Sequence, residues 1–242
     1  MALAFDGMLD ALEAALREAR ASEDRSRRFL AEAAHQLRTP IAGIRASVES
    51  LPYARSSAER DRLLENAAQE ASRAGRRVAA LLRMTRIELG DFPARRACDL
   101  ASLCREETER ASALAPNLHV SFRALDHPQT VDVDPDAVRE ALANLLDNAR
   151  RHATNRVEVT LSTIGDIVEM SVTDDGPGLP EDAVEQAFER FVVLDTQGGS
   201  GLGLSIARGI ARAHDGDVTY EQGRFVIRFP SAPPPVSSAS SA

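Results

Sequence analysis

Leu30, Ala34, Leu37, Ile41, Ile44, Val48 and Leu51 recur at steps of four, three, four, three, four and three. A seam of that period runs down one face of an α-helix and has to be covered by other helices. A second stripe follows Pro52 and the Ser56-Ser57 pair: Leu63, Ala67, Ala74, Val78 and Leu81. Ser57 is placed to cap this second helix, and Gly90 to close it just after Leu89. Two long helices with a short connection fold back as an antiparallel hairpin. One hairpin cannot bury two such stripes, so the sequence predicts that two copies pair into a four-helix bundle. Upstream, Leu9, Leu12, Leu16 and Ala19 form a shorter stripe, separated from the seam by the charged run from Ser22 to Arg28.

From about Ala97 the period changes. Strands are expected at Val120–Ala124, Thr130–Val133, Arg156–Thr163, Ile167–Thr173, Asp217–Tyr220 and Arg224–Phe229. Helices are expected between them, at Leu100–Leu114, Pro135–Ala153, Glu181–Phe188 and Gly201–His214. That alternation describes an α+β sandwich domain of about 130 residues. The last residues, 231–242, are Ser, Ala and Pro with one Val. They lack the apolar content that offsets ordering entropy and read as a disordered tail.

Composition removes several function classes. With 29 Lys and Arg against 37 Asp and Glu, the chain carries a net charge of −8 and is a poor candidate for sequence-independent nucleic-acid binding, which draws on clustered Lys and Arg. Cys98 and Cys104, six residues apart, match neither a CxxC metal pair nor a redox pair and read as reduced core thiols. No run approaches the ~18 apolar residues of a membrane span, and no signal-peptide core follows Met1. The chain is therefore expected to be intracellular, with membrane attachment only if a spanning segment precedes it in a longer natural protein.

Four stretches carry groups suited to chemistry. His35 falls one residue past Ala34, about 100° off the seam, and should face solvent with Thr39 one turn on; Pro40 should bend the helix there. On the helix opened by Asp134-Pro135, Asn144 and Asn148 are four apart and project together, followed by Arg151 and His152. Amide oxygens ligate Mg²⁺ and a guanidinium holds phosphate, although an isolated Asn pair is as readily a polar helix face. Asp174-x-Gly176-x-Gly178 follows a strand. Its carboxylate can accept an exocyclic amine and its glycines let the backbone approach a flat ring, with a plain turn as the alternative. Gly198-Gly199-Ser200-Gly201-Leu202-Gly203-Leu204 runs into a helix and frees N–H groups for phosphate. It is neither a Walker A loop nor a dinucleotide fingerprint. Val192–Gly199, ahead of it, reads as a lid anchored at Phe188 and Phe191.

Taken in order, His-x-x-Arg-Thr-Pro, Asn-x-x-x-Asn, Asp-x-Gly-x-Gly, Phe-x-x-Phe and Gly-x-Gly-Leu-Gly-Leu resemble the sensor histidine kinases of two-component systems, over residues 25–230. The resemblance implies a helical hairpin that forms a dimeric four-helix bundle, followed by an α+β sandwich ATP-binding domain of the Bergerat type. It divides the chain into a signal-relay (HAMP-like) helix at 1–24, a dimerisation and phosphotransfer domain at 25–90, a hinge at 91–97, a catalytic domain at 98–230 and the tail. His35 matches the phospho-acceptor, with Gln36 and Arg38 beside it and Thr39 at a position that helps dephosphorylate the regulator. Asn144 and Asn148 match the Mg²⁺ and phosphate box, and Arg151 and His152 extend it. Asp174, Gly176 and Gly178 match the adenine side. Gly199, Gly201, Leu202 and Gly203 match the phosphate-side loop. The implied activity is autophosphorylation of His35 from Mg-ATP and transfer to an Asp of a response-regulator receiver domain. The implied location is the cytoplasmic part of an inner-membrane sensor.

Three positions depart from the family pattern. Gln36 stands where Glu or Asp usually accepts the imidazole proton; it can orient His35 but not take that proton. Ala34 replaces a frequent Ser, and His152 replaces a frequent aromatic. Two rival readings are weaker. An ATPase of the gyrase type carries a Glu base where this chain has Asn144, and a scaffold that has lost catalysis would have no use for Asn148 and Asp174.

Overall fold

The computed structural model describes residues 16, 17, 20, 23, 31, 33–35, 37–89, 95–125, 130–194 and 201–231, with the side chains of 88 and 89 left out. Contacts divide the chain into two units, Met1–Leu81 and Leu82–Ala242.

In the first unit, α1 is helical over residues 37–50, with no break at Pro40. A short 3₁₀ turn, Leu51–Tyr53, leads to α2, Ser57–Leu89. The cap is Ser56 rather than the expected Ser57: its hydroxyl accepts the Glu59 N–H at 3.2 Å, and the Glu59 carboxylate reaches back to the Arg55 N–H at 2.7 Å. The first bond satisfies one orphan donor of the first turn, and the second ties the residue before the cap to the same turn, one position earlier than in a standard capping box. Gly43 of α1 lies against α2, where a β-carbon would sit 3.1 Å from Glu70 Cγ.

The seam is displaced by one residue from its expected place. Ala33 and Pro40 are buried, Leu37 and Ile44 half-buried, and Ala34 exposed. Ile41 and Val48 are 56% and 51% exposed. A hairpin supplies one neighbouring helix, and one neighbour covers a single flank of a stripe. The other flank, with Ala34, Ile41 and Val48, is left facing outward.

In the second unit a five-stranded sheet has the order β2-β4-β5-β7-β6, with β2 at His119–Ala124, β4 at Arg156–Ile164, β5 at Ile167–Asp174, β6 at Asp217–Glu221 and β7 at Arg224–Pro230. Only β2 and β4 run parallel; the other pairs are antiparallel. Helices α3 (Leu100–Leu114), α4 (Pro135–His152) and α6 (Gly203–Ala213) pack on one face. There Val157, Val159, Leu161, Val168, Met170, Val172, Phe225, Ile227 and Phe229 meet Leu142, Leu145, Leu146, Ile206 and Ile210 in a core with almost no solvent access. Fully burying a side chain of this size is worth about 1.5–3 kcal/mol. The other face is polar: Thr160 and Ser171 hydroxyls meet at 2.5 Å, and Arg228 pairs with Glu169 at 2.6 Å.

The expected elements are present, most with an end shifted by about one residue, and the more informative differences are these. Arg96–Asp99, whose first two residues were assigned to the hinge, is a strand, β1, paired antiparallel with β3 (Thr130–Val133). Its pairing, not its weak strand-forming sequence, makes it one. Glu181–Phe188 is not one helix but a 3₁₀ turn, Glu181–Ala183, and a single α-turn, α5 (Val184–Ala187). The last main helix begins at Gly203 rather than Gly201, because Gly201 takes φ +67° in the turn before it. The helix opened by Asp134 stops at His152, where Ala153 turns extended. Cys98 and Cys104 are free and buried, and burial pushes the Cys104 thiol up to about 12, where it is inert at neutral pH. Among the described residues no helix is long and apolar enough to cross a membrane. The expected relay helix lies mostly, and the expected tail after Ser231 wholly, outside the described residues.

Candidate functional site

His35, Arg38 and Thr39 lie in the helical stretch of the first unit, and all three are exposed. His35 faces solvent as expected, though the reason shifts with the seam, since Ala34 beside it is exposed too. Gln36 is outside the described residues.

The remaining candidates that the structure describes lie in the second unit, on α4, on the turn after β5 and at the start of α6. Asp134 builds the first wall: its carboxylate accepts the N–H groups of Asp136 (3.0 Å) and Ala137 (3.4 Å) and caps α4. Seven buried residues line the packed face of α4, and Asn144 and Asn148 emerge half-buried along its flank. Asn144 Nδ2 is buried and has no hydrogen-bond partner. A donor in that condition costs about 1–3 kcal/mol unless something comes to accept from it. At the end of the helix Arg151 is exposed and His152 half-buried.

The second wall is the turn after β5. Asp174 Oδ1 accepts the Gly176 N–H at 2.9 Å. Burial pushes the Asp174 carboxyl above its ordinary range, against the opposing pull of that N–H and of His152. A β-carbon on Gly176 would fall 2.4 Å from the His152 carbonyl oxygen and 2.6 Å from Asp174 Oδ1. No other residue fits where the turn meets the end of α4.

The third wall is the start of α6. Gly201, at φ +67°, accepts the Phe191 N–H at 2.7 Å and leaves no room for a side chain, since a β-carbon would sit 2.5 Å from the Phe191 carbonyl carbon. Leu202 is buried and Gly203 opens the helix facing Asn144, with 3.4 Å from its β-carbon position to Asn144 Oδ1. Phe188 is buried against Phe225 at 6.1 Å, edge to face. Gly199 and most of the lid segment lie outside the described residues.

These walls fit a nucleotide. They offer a half-buried carboxylate for an exocyclic amine, glycines at the close approaches, an orphaned amide donor and helix N-terminal N–H groups for phosphate. Among the described residues no group of three His, Cys, Asp or Glu could hold a metal ion. Oxygen donors for a hard cation are instead the amides of Asn144 and Asn148.

Three residues that hold the elements of the site in place give no signal recognised in the sequence. Asp175 accepts N–H groups from Thr154 (2.8 Å), Asn155 (3.0 Å) and Arg156 (3.1 Å), which tie the exit of α4 to the end of β5. Those bonds, led by Asn155, hold its carboxyl down at about 2. Its only sequence signal is being the second of two adjacent Asp. Tyr220 and His214 act across 41 and 80 residues and leave no local signal.

Comparison with known proteins supports the family resemblance. Residues 25–90 match the family model described as the His Kinase A (phospho-acceptor) domain, and residues 133–233 the histidine kinase-, DNA gyrase B- and HSP90-like ATPase. The chain is 33% identical over 239 residues to the probable sensor histidine kinase TcrY of Mycobacterium tuberculosis, covering 94% of this chain and 50% of that protein. It is 33% identical over 208 residues to the adaptive-response sensory kinase SasA of a Synechococcus strain, covering 80% and 55%. Among solved structures it resembles the mycobacterial sensor histidine kinase MprB, at 28% identity and TM-score 0.51 over 57% of this chain and 99% of that one. It also resembles full-length ShkA in complex with AMPPNP, at 25% identity and TM-score 0.60 over 84% and 46%. The chain spans about half the length of the curated relatives it matches. A phospho-acceptor domain followed by an ATP-binding domain, with this site between α4, β5 and α6, makes the chain a member of the sensor histidine kinases of two-component systems.

Proposed function

We propose that the chain is a kinase core that phosphorylates its own His35 from Mg-ATP and passes the phosphoryl group to an aspartate on a response-regulator receiver domain. What carries the reading is Asn144. Its side chain lies against Gly203 with the amide oxygen nearest, and its amide nitrogen is buried without a partner, on the helix that also bears Asn148 and ends beside the Asp174 turn. A phosphate oxygen is the acceptor that environment lacks.

In this reading Asp174 accepts the adenine amine, and Gly176, Gly178 and His152 line the ring. Arg151 and the loop of Gly199, Gly201, Leu202 and Gly203 hold the phosphates. Asn148 and Asn144 would hold Mg²⁺, which when bound neutralises phosphate charge. A ring nitrogen of neutral His35 attacks the γ-phosphorus. The N–P bond forms as the bond to the β,γ-bridging oxygen breaks, and ADP leaves. Gln36 orients the ring and water takes the remaining ring proton, since an amide cannot. Thr39, on the same helix face as His35, serves a separate reaction, hydrolysis of the regulator's aspartyl phosphate by water to free aspartate and orthophosphate. Exposed Ile41 and Val48 are covered by a second copy, in a homodimeric bundle. The same reading takes 25–90 as the phosphotransfer domain and 98–230 as the catalytic domain of an inner-membrane sensor, on its cytoplasmic side.

The test is incubation with γ-labelled ATP and Mg²⁺, wild type beside H35A. Label that survives alkali, is lost in acid and is absent from H35A supports the reading. Acid-labile label in H35A removes His35 as acceptor, and steady ATP turnover without phosphoprotein removes the kinase assignment.

A further inference from the structure

Tyr220, on the edge strand β6, reaches the glycine turn of the nucleotide site. Its phenol oxygen accepts the Leu179 N–H at 2.9 Å. Leu179 sits between Gly178 and Pro180, in a turn whose two prolines, Pro177 and Pro180, have no N–H to give. A β-carbon on Gly178, which holds φ +71°, would fall 2.8 Å from the same phenol oxygen, so the hydroxyl fills the space that Gly178 leaves. Behind it, the Tyr220 ring leans on Phe225 at 4.9 Å, Phe225 meets Phe188 at 6.1 Å, and the Arg208 guanidinium lies 4.7 Å over the Phe188 ring. Asp217 and Glu185 each hold Arg208 at 3.1 Å. A packed row of side chains therefore runs from the turn after Asp174 to Phe188 and Arg208.

We propose that Tyr220 is a positioning residue for the nucleotide site: its hydroxyl fixes the Gly176–Pro180 turn in the shape that admits the base, and so sets nucleotide affinity. The proposal rests on the reading that this turn binds ATP. Without the hydroxyl the half-buried Leu179 N–H loses its acceptor and the turn is free to close on the space Asp174 needs. The loss belongs to binding and not to phosphoryl transfer, because Tyr220 touches backbone and no reacting group.

The experiment uses the full chain as wild type, Y220F, G178A and the double variant. Trinitrophenyl-ATP and its competition by Mg-ATP give affinity, and autophosphorylation gives KM and kcat. For Y220F the expected result is a Kd and a KM for ATP raised about tenfold, the worth of one hydrogen bond, with kcat within about twofold. G178A should cost less in the Y220F background than alone, because the clash with the hydroxyl is gone. A merely structural tyrosine would lower the active fraction and kcat, leave KM unmoved and give additive costs. Wild-type affinity in Y220F, or additivity in the double variant, overturns the proposal while the kinase reading stands. Failure of the wild type itself to bind either nucleotide overturns that reading, and this one with it.

Discussion

His214 joins the end of α6 to the start of α4 through one imidazole ring. Its Nε2 accepts the Asp134 N–H at 3.1 Å, and its Nδ1 lies 2.8 Å from the Ile210 carbonyl, which obliges Nδ1 to carry the proton. The ring is 1% exposed. Near the end of a helix the last carbonyls have no intrahelical donor, and here the side chain of the C-cap residue supplies one. The helix that carries Asn144 and the helix that opens at Gly203 are thus tied at the ends remote from the nucleotide walls.

His214→Leu keeps the volume and removes both bonds. The Asp134 N–H and the Ile210 carbonyl are then buried without partners, at about 1–3 kcal/mol each. Urea unfolding should show the catalytic unit destabilised by about 3 kcal/mol. A loss below about 0.5 kcal/mol would mean that water or a shifted loop replaces the ring.

Asp175 makes the acid limb of stability steeper. Its folded pKa, about 2, lies below the unfolded value near 4, so it contributes stability above pH 4 and loses it as pH falls towards 2. Glu221, held at about 2 chiefly by its hydrogen bond from Arg228, adds to the same limb. Asp175→Asn should flatten the fall of the urea midpoint between about pH 4 and pH 2 without abolishing it. An unchanged slope would assign the whole limb to Glu221 and the other carboxylates.

Asp174 behaves in the opposite sense. Burial raises its folded pKa above the unfolded value, so its ionised form subtracts stability at neutral pH and protonation restores it. Asp174→Asn keeps an oxygen for the Gly176 N–H and removes the buried charge. The variant should melt no lower than wild type at pH 7, yet bind Mg-ATP at least tenfold more weakly. A site kept for function at the expense of the fold behaves this way. A variant that melts lower and binds normally would mark Asp174 as structural.

The contrast between Asp174 and Asp175 shows what the chain discloses by itself. Asp134-Pro135 and the apolar period after it announce α4, because caps and periodicity are local. Asn144, Asn148 and Asp174 are legible because each sits at a spacing that a helix or a strand end turns into geometry. Asp175, Tyr220 and His214 are not, since their partners are 19–21, 41 and 80 residues away and exist only once the sheet has formed. The displaced seam has a related cause. Periodicity names the stripe, while the neighbouring helix decides which flank is buried in one chain, here Ala33 and Pro40 rather than Ala34 and Ile41. β1 was missed because Arg96–Asp99 has a single buried side chain, Cys98, and is held by pairing alone.

The last two turns of α2 belong with the catalytic unit, which begins at Leu82. Ile87 Cγ2 lies 2.9 Å from the β-carbon position of Gly209 on α6, Arg83 pairs with Glu140 of α4 at 2.5 Å, and Met84 is 3% exposed. The ion pair is half in water, so Arg83→Ala should cost less than about 1 kcal/mol. Met84→Ala should cost about 2–5 kcal/mol, as deletions of buried side chains do. The chain has no Trp and two Tyr, and Tyr53 is 82% exposed in the hairpin. In a Tyr53→Phe background Tyr220 is therefore the sole fluorescent reporter of the catalytic unit. Met84→Ala should move its urea transition, whereas Leu64→Ala, on the first unit and 50% exposed, should leave it in place. If Met84→Ala leaves the Tyr220 transition unmoved, the end of α2 unfolds with the hairpin, and the catalytic unit starts at β1.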